Sequence, residues 1–154
     1  MQRALIAMVL LFGVVLLGSS AGAQEVKYRT HVKPIFDAHC LACHGSNTPE
    51  YEQFGAEKDK WLKQGLGMRM DSFRQLAGFV VWPNTGAVMR RLDDGKNAKD
   101  GKPGNMYQYL GATEEERQKN LAVFKGWIAP WTLKRLPELT KEEIVELNKV
   151  RERY

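Results

Sequence analysis

Apolar positions follow three different patterns along this chain. Residues 4–17 are an almost unbroken apolar run without a charge. The middle breaks into short apolar clusters punctuated by glycine, proline and polar stretches, with little of the strict alternation that marks strands. Towards the end the spacing becomes helical. Leu121, Phe124, Trp127 and Ile128 share one stripe of residues 114–128, and Ile144, Leu147 and Val150 lie on one side of a last helix. Both stretches open with a helix start signal, Thr113 to Glu116 and Thr140 to Glu143, each reading as a capping box, and Pro130 stops the first.

Shorter elements are expected upstream. Thr30 is placed to cap a first helix with Pro34 in its opening turn. Gly45 permits a turn, residues 46–55 read as a loop, and residues 56–65 read as a helix with Trp61 and Leu62 facing inward. Ser72 is placed to cap a short helix ending at Gly78. Residues 79–83 read as an apolar extended stretch that Pro83 keeps from being helical. Residues 86–92 read as a short helix, followed by a long polar loop over 93–105. The expected architecture is all-α, one domain, with long loops and an additional C-terminal helix.

The first apolar run is not part of that domain. Arg3 precedes it, Ala21-Gly22-Ala23 offers small residues for cleavage, and the run falls short of the roughly 20 residues needed to span a bilayer. Residues 1–23 therefore read as a cleaved signal peptide and residues 24–154 as the mature, soluble domain, exported to the periplasm with no stable membrane insertion. At 44% hydrophobic and 27% charged residues, the chain has the composition of a folded protein. The formal charge of +5, +4 without Arg3, is spread along the sequence, and no nucleic-acid motif accompanies it. A modest positive charge can steer an acidic partner, but charge this dispersed reads first as a solvated surface.

Cys40 and Cys43, the only cysteines, stand in Cys40-Leu41-Ala42-Cys43-His44. That is the C-x-x-C-H pattern of covalent haem attachment. The thiols add to the two haem vinyl groups, and the next residue brings an imidazole, His44, to the iron. A zinc site needs further cysteine or histidine ligands at a second knuckle, and a thioredoxin-type pair needs a βαβ context. Neither is evident. The remaining histidines, His31 and His39, lie on the same amino-terminal stretch and read as surface or supporting groups.

Thioether sulfur is a common partner for histidine on the opposite face of a c-type haem. Met106 has the most suitable setting, in the turn-rich Lys102-Pro103-Gly104-Asn105-Met106-Tyr107, because a loop can drape over a haem face. Met89 and Met70 remain alternatives, the first on the apolar side of a short helix and the second beside Met68. Arg90, Arg91, Trp82 and Tyr109 are candidates to bond the haem propionates.

With these residues the chain resembles the class I monohaem cytochrome c family. The resemblance implies a helical wrap around one haem c, crossing amino- and carboxy-terminal helices, His44 as proximal and Met106 as distal ligand, and single-electron transfer between redox partner proteins, either membrane or periplasmic cytochromes. The chain departs from that pattern in having Met106-Tyr107 where the family has Met-Pro, in the length of residues 68–105, and in the segment after Pro130. The stretches 30–36 and 91–95 are similar to small periplasmic cytochromes of metal-reducing bacteria, whose respiratory chains end outside the cell or take up electrons from electrodes. Two other readings stay open: a peroxidase-like haem enzyme, for which no distal acid–base pair is evident, and a haem subunit or sensor of a larger redox complex.

Overall fold

Trp127 and Phe124 organise the core. Both lie on the stripe of the longest helix, Glu114–Ile128, and both are essentially inaccessible to water. The computed structural model describes residues 25–154, and the expected signal peptide, residues 1–23, lies outside them. Among the described residues every regular element is helical: α1 (Lys33–His39), α2 (Leu41–His44), α3 (Tyr51–Ala56), α4 (Lys58–Lys63), α5 (Phe73–Gly78), α6 (Ala87–Leu92), α7 (Glu114–Ile128) and α8 (Lys141–Asn148), with short 3-10 turns between and after them. None is long and apolar enough to cross a membrane.

The long C-terminal elements match their expected starts. Thr113 accepts from the Glu116 N–H and Thr140 from the Glu143 N–H. The box at Thr140 is reciprocal. The one at Thr113 is half formed, because the Glu116 carboxylate bonds the Ala112 N–H instead. Ser72 caps α5 in a full box with Gln75.

The amino-terminal helix begins earlier than expected. A π-helical turn, Tyr28–Val32, precedes α1, so Thr30 lies inside the helical stretch and does not cap it. Pro34 still opens the α-helical part, where its missing N–H costs least. Residues 51–55, expected as loop, belong to α3, Tyr51–Ala56, which a capping box between Glu50 and Gln53 starts. The next helix is only Lys58–Lys63, and Leu62 on it faces water at 52% exposure, contrary to expectation. Residues 79–83 fold into tight turns: the Val80 and Val81 N–H groups both bond Ala77, which buries Phe79, Val80 and Val81 and leaves Trp82 outside.

The two ends of the described chain are fastened together. The Tyr28 and Arg29 N–H groups donate to the carbonyls of Arg153 and Tyr154 at 2.8 and 3.1 Å. The Trp127 indole donates to the Arg153 carbonyl, and the Arg153 guanidinium returns a bond to the Trp127 carbonyl. Tyr28, Phe73, Trp127 and Tyr154 form one aromatic cluster around this seam. At Gly126 a Cβ would come within 2.7 Å of Val26, so the amino-terminal segment lies directly on the α7 backbone. The additional C-terminal helix thus leads the chain back to close the core from the amino-terminal side, through the buried Leu147 and Val150.

Trp127→Ala removes the largest wholly buried side chain and one seam hydrogen bond. The expected loss is about 3–5 kcal/mol, read as a lowered midpoint in urea unfolding followed by far-UV circular dichroism.

Candidate functional site

Cys40, Cys43 and His44 sit on a single helical turn. The Cys43 and His44 N–H groups both bond the Cys40 carbonyl, at 3.1 and 3.0 Å. Positions three and four apart on a turn share a face, so the two thiols and the imidazole project together. The sulfurs are not joined to each other; Cys40 is partly buried and Cys43 exposed. Burial, with Cys43 beside it, pushes the Cys40 thiol up to about 12, the opposite of what a redox-active dithiol needs.

A second segment clasps the imidazole. The Gly67 N–H donates to the Cys43 carbonyl at 2.8 Å, and the Met70 N–H to the His44 carbonyl at 2.9 Å. Between them the Met68 carbonyl lies 2.7 Å from His44 Nδ1 and accepts its proton. That bond fixes the tautomer and leaves Nε2 as the lone-pair nitrogen. Burial lowers the imidazole's affinity for a proton and the Met68 carbonyl opposes this, with a net shift downward, so the ring is neutral as a metal ligand must be. Gly67 is required by contact: a Cβ there would stand 2.2 Å from His44 Cε1. Neither Gly67 nor the Met68 carbonyl was identified from sequence, since a backbone acceptor leaves no mark on residue type.

The methionines are differently engaged. Met89 is wholly buried on α6, and its sulfur accepts the Thr132 N–H at 3.3 Å. Met70 lies on the clasping segment, its backbone bonded to His44 itself. Met106 is partly buried at the edge of the core. Its N–H donates to the Arg91 carbonyl at 3.0 Å, and the Gly104 N–H to the Asp93 carbonyl at 2.8 Å. A Cβ at Gly104 would meet the Arg90 and Arg91 carbonyls at 2.3 and 2.4 Å, so the loop rests on the end of α6. Buried Asp93 secures the start of the same loop, accepting from the Gly95 and Asn97 N–H groups, the Asn97 amide and the Trp131 indole. These partners satisfy a carboxylate otherwise costly to bury.

A family model described as PccH cytochrome c matches residues 27–154. The chain belongs to the PccH cytochrome c family. It is therefore a monohaem c-type cytochrome with one covalent haem c, in a family whose members typically carry electrons. The solved structure of monohaem cytochrome PccH from Geobacter sulfurreducens is 59% identical to it, over 79% of this chain and 95% of that one, with a TM-score of 0.74. No curated protein matches the chain.

The residues of this PccH-family chain suit a haem. The donor set is right: two thiols on one face of a turn with a neutral imidazole whose second nitrogen is anchored. The Trp61 indole nitrogen, on α4 just before the clasping segment, is buried without a hydrogen-bond partner among the described residues, a condition protein interiors seldom tolerate. The propionate candidates fare less well. Arg90 gives its guanidinium to the Thr85, Leu133 and Lys134 carbonyls, and Arg91 bonds Asn105. Trp82 and Tyr109 are more than half exposed. A groove of about 800 Å³ between α3 and α5, with Trp82, Tyr51 and Arg74 in its wall, contains none of the C-x-x-C-H residues and touches the clasping segment only through Arg69. His31 accepts the Lys27 N–H through Nδ1, and His39 Nε2 lies 3.6 Å from Glu116.

Gly67→Ala drives a methyl group into the His44 ring. The holoprotein is expected to show a partly high-spin ferric spectrum and a reduced yield of haem-loaded protein. Gly55→Ala, where a Cβ meets nothing within 4 Å, leaves both unchanged. Optical spectra of the purified variants check this.

Proposed function

We propose that the chain is an exported periplasmic carrier of single electrons, its haem attached through Cys40 and Cys43 and its iron held between His44 and Met106. The observation that carries this reading is the 2.7 Å bond from His44 Nδ1 to the Met68 carbonyl, which orients a half-buried, neutral imidazole and reserves its other nitrogen. The choice of Met106 is supported by what the alternatives are doing: Met89 spends its sulfur on a backbone N–H inside the core, and Met70 is on the segment that holds His44.

The haem supplies the redox chemistry when bound, its iron alternating between ferrous and ferric. The protein supplies fixed surroundings. The Met68 carbonyl holds His44 against rotation, and the Arg91 and Asp93 carbonyls hold the Met106 loop. With both ligands tethered by backbone bonds, little rearrangement accompanies the change of charge. A neutral thioether and partial burial raise the potential, and the hydrogen bond on His44 makes the imidazole more basic and opposes this. Covalent attachment keeps the group on a small protein that works outside the cytoplasm.

The signal peptide at residues 1–23 supplies the export. The proposed partners are membrane or periplasmic cytochromes with an acidic docking face, matched to the positive formal charge, in an anaerobic chain or one that ends outside the cell. The likeness of residues 30–36 and 91–95 to periplasmic cytochromes of metal-reducing bacteria supports that placement. A carrier of this kind has both axial positions filled, which separates it from a peroxidase-like enzyme.

The ferric protein is expected to be low-spin and to show the weak near-infrared band of thioether-to-iron charge transfer. Met106→Ala abolishes the band and turns the spectrum high-spin, whereas Met70→Leu and Met89→Leu retain it. Persistence of the band in Met106→Ala contradicts the assignment, and tight carbon monoxide binding by the untreated ferrous protein contradicts the carrier.

A further inference from the structure

We infer that Tyr107 is a positioning residue for Met106: its phenol ties the ligand loop to the first turn of α7 and so limits how readily a competing ligand displaces the thioether. This rests on the reading of Met106 as the distal ligand.

Upstream of Met106 the loop is fixed to the end of α6 by the Met106, Gly104 and Arg91 bonds already described. Downstream the chain must turn towards α7, and Tyr107 makes that connection. Its side chain is buried at 6% exposure, and its hydroxyl donates to Glu114 Oε1 at 2.5 Å. The Gln118 amide donates back to the same hydroxyl at 2.7 Å and also reaches Glu114 and Asp94, at 3.0 and 3.1 Å. Both roles of the hydroxyl are thus filled within the protein. The network joins the residue after Met106, the first turn of the core helix and the start of the ligand loop, because Asp94 follows the buried Asp93.

The bond to Glu114 is a strong one. Glu114 is the first residue of α7, where the helix dipole favours an anion. Its hydrogen bonds, Tyr107 first and then Gln118 and Arg117, hold its carboxyl down at about 2, so the acceptor is charged across the working range. Charge-assisted bonds of this kind are roughly twice as strong as neutral ones. Tyr107 also contributes its N–H to the Gly104 carbonyl at 3.0 Å, closing the turn that carries Met106. A proline at this position cannot donate that bond.

A thioether is a neutral ligand that added imidazole can displace from ferric iron, and displacement requires the loop to swing away. Removing the phenol hydroxyl therefore favours the displaced state. The test is an imidazole titration of the purified ferric holoprotein, followed by loss of the near-infrared band, with the urea midpoint measured alongside. Tyr107→Phe is expected to keep the band without imidazole and to bind imidazole about tenfold more tightly, the scale of one charge-assisted hydrogen bond. Glu114→Gln, at an exposed carboxylate, weakens the same bond without removing the ring and shifts affinity in the same direction by about threefold. Tyr109→Phe, at a tyrosine 57% exposed, leaves affinity unchanged. Imidazole affinity within twofold of wild type in both Tyr107→Phe and Glu114→Gln overturns the inference, including when the urea midpoint falls. If the wild-type band survives Met106→Ala, the ligand assignment and this inference fall together. If it is lost there but imidazole affinity does not move in Tyr107→Phe and Glu114→Gln, only the role of Tyr107 falls.

Discussion

The hydrogen bond between His44 Nδ1 and the Met68 carbonyl is the constraint on which the rest of the site depends. An imidazole offers two nitrogens, and a metal can rely on one only if the other is spoken for. The fold achieves this by laying residues 67–70 along the C-x-x-C-H turn, with backbone bonds at Cys43 and His44 on either side of the ring contact. That approach is too close for any side chain at position 67. The identity of Gly67, the conformation of the loop after α4 and the orientation of His44 are thus one structural fact.

A second set of constraints acts on the loop of residues 93–106. Its polar composition suggests freedom, yet it is among the most tightly bonded parts of the molecule. Asp93 is buried because four donors surround its carboxylate, and its backbone carbonyl holds Gly104. Trp131 comes from beyond α7, so the segment after Pro130 is more than an appendage: it supplies a donor to the loop through Trp131, a donor to the Met89 sulfur through Thr132, and acceptors to Arg90 through Leu133 and Lys134. The departures from a minimal cytochrome c, a longer central region and a C-terminal extension, are structurally connected, each satisfying polar groups of the other.

Much of this was legible in the sequence where residue type itself carries the physics. C-x-x-C-H is chemistry written in side chains, and the helical stripe ending in Trp127 and Ile128 is a burial pattern that tertiary packing reinforces. The bounds of α7 and the caps at Ser72, Thr113 and Thr140 follow from local hydrogen bonding and were found. The misreadings fall where long-range or weakly marked contacts decide. Thr30 reads as a cap, but the helical stretch starts at Tyr28, whose N–H, like that of Arg29, pairs with the chain's end. Leu62 looked like core, but α4 is short and stands at the surface. Residues 79–83 read as extended because they are apolar, and turns at Ala77 instead bury 79–81 and leave Trp82 outside. Arg90 looked free to meet a propionate, and the C-terminal segment, distant in sequence, claims it.

The central claim is that one haem iron lies between His44 and Met106. Proton NMR of the ferrous holoprotein tests it most directly, because a methyl group held against the haem face by its sulfur is shifted far upfield by the ring current. Selective methyl labelling with single methionine replacements assigns that signal. The account predicts one such three-proton resonance that disappears in Met106→Leu and remains in the Met68, Met70 and Met89 replacements. A resonance that follows any of those other methionines, or its absence from the native protein, contradicts it.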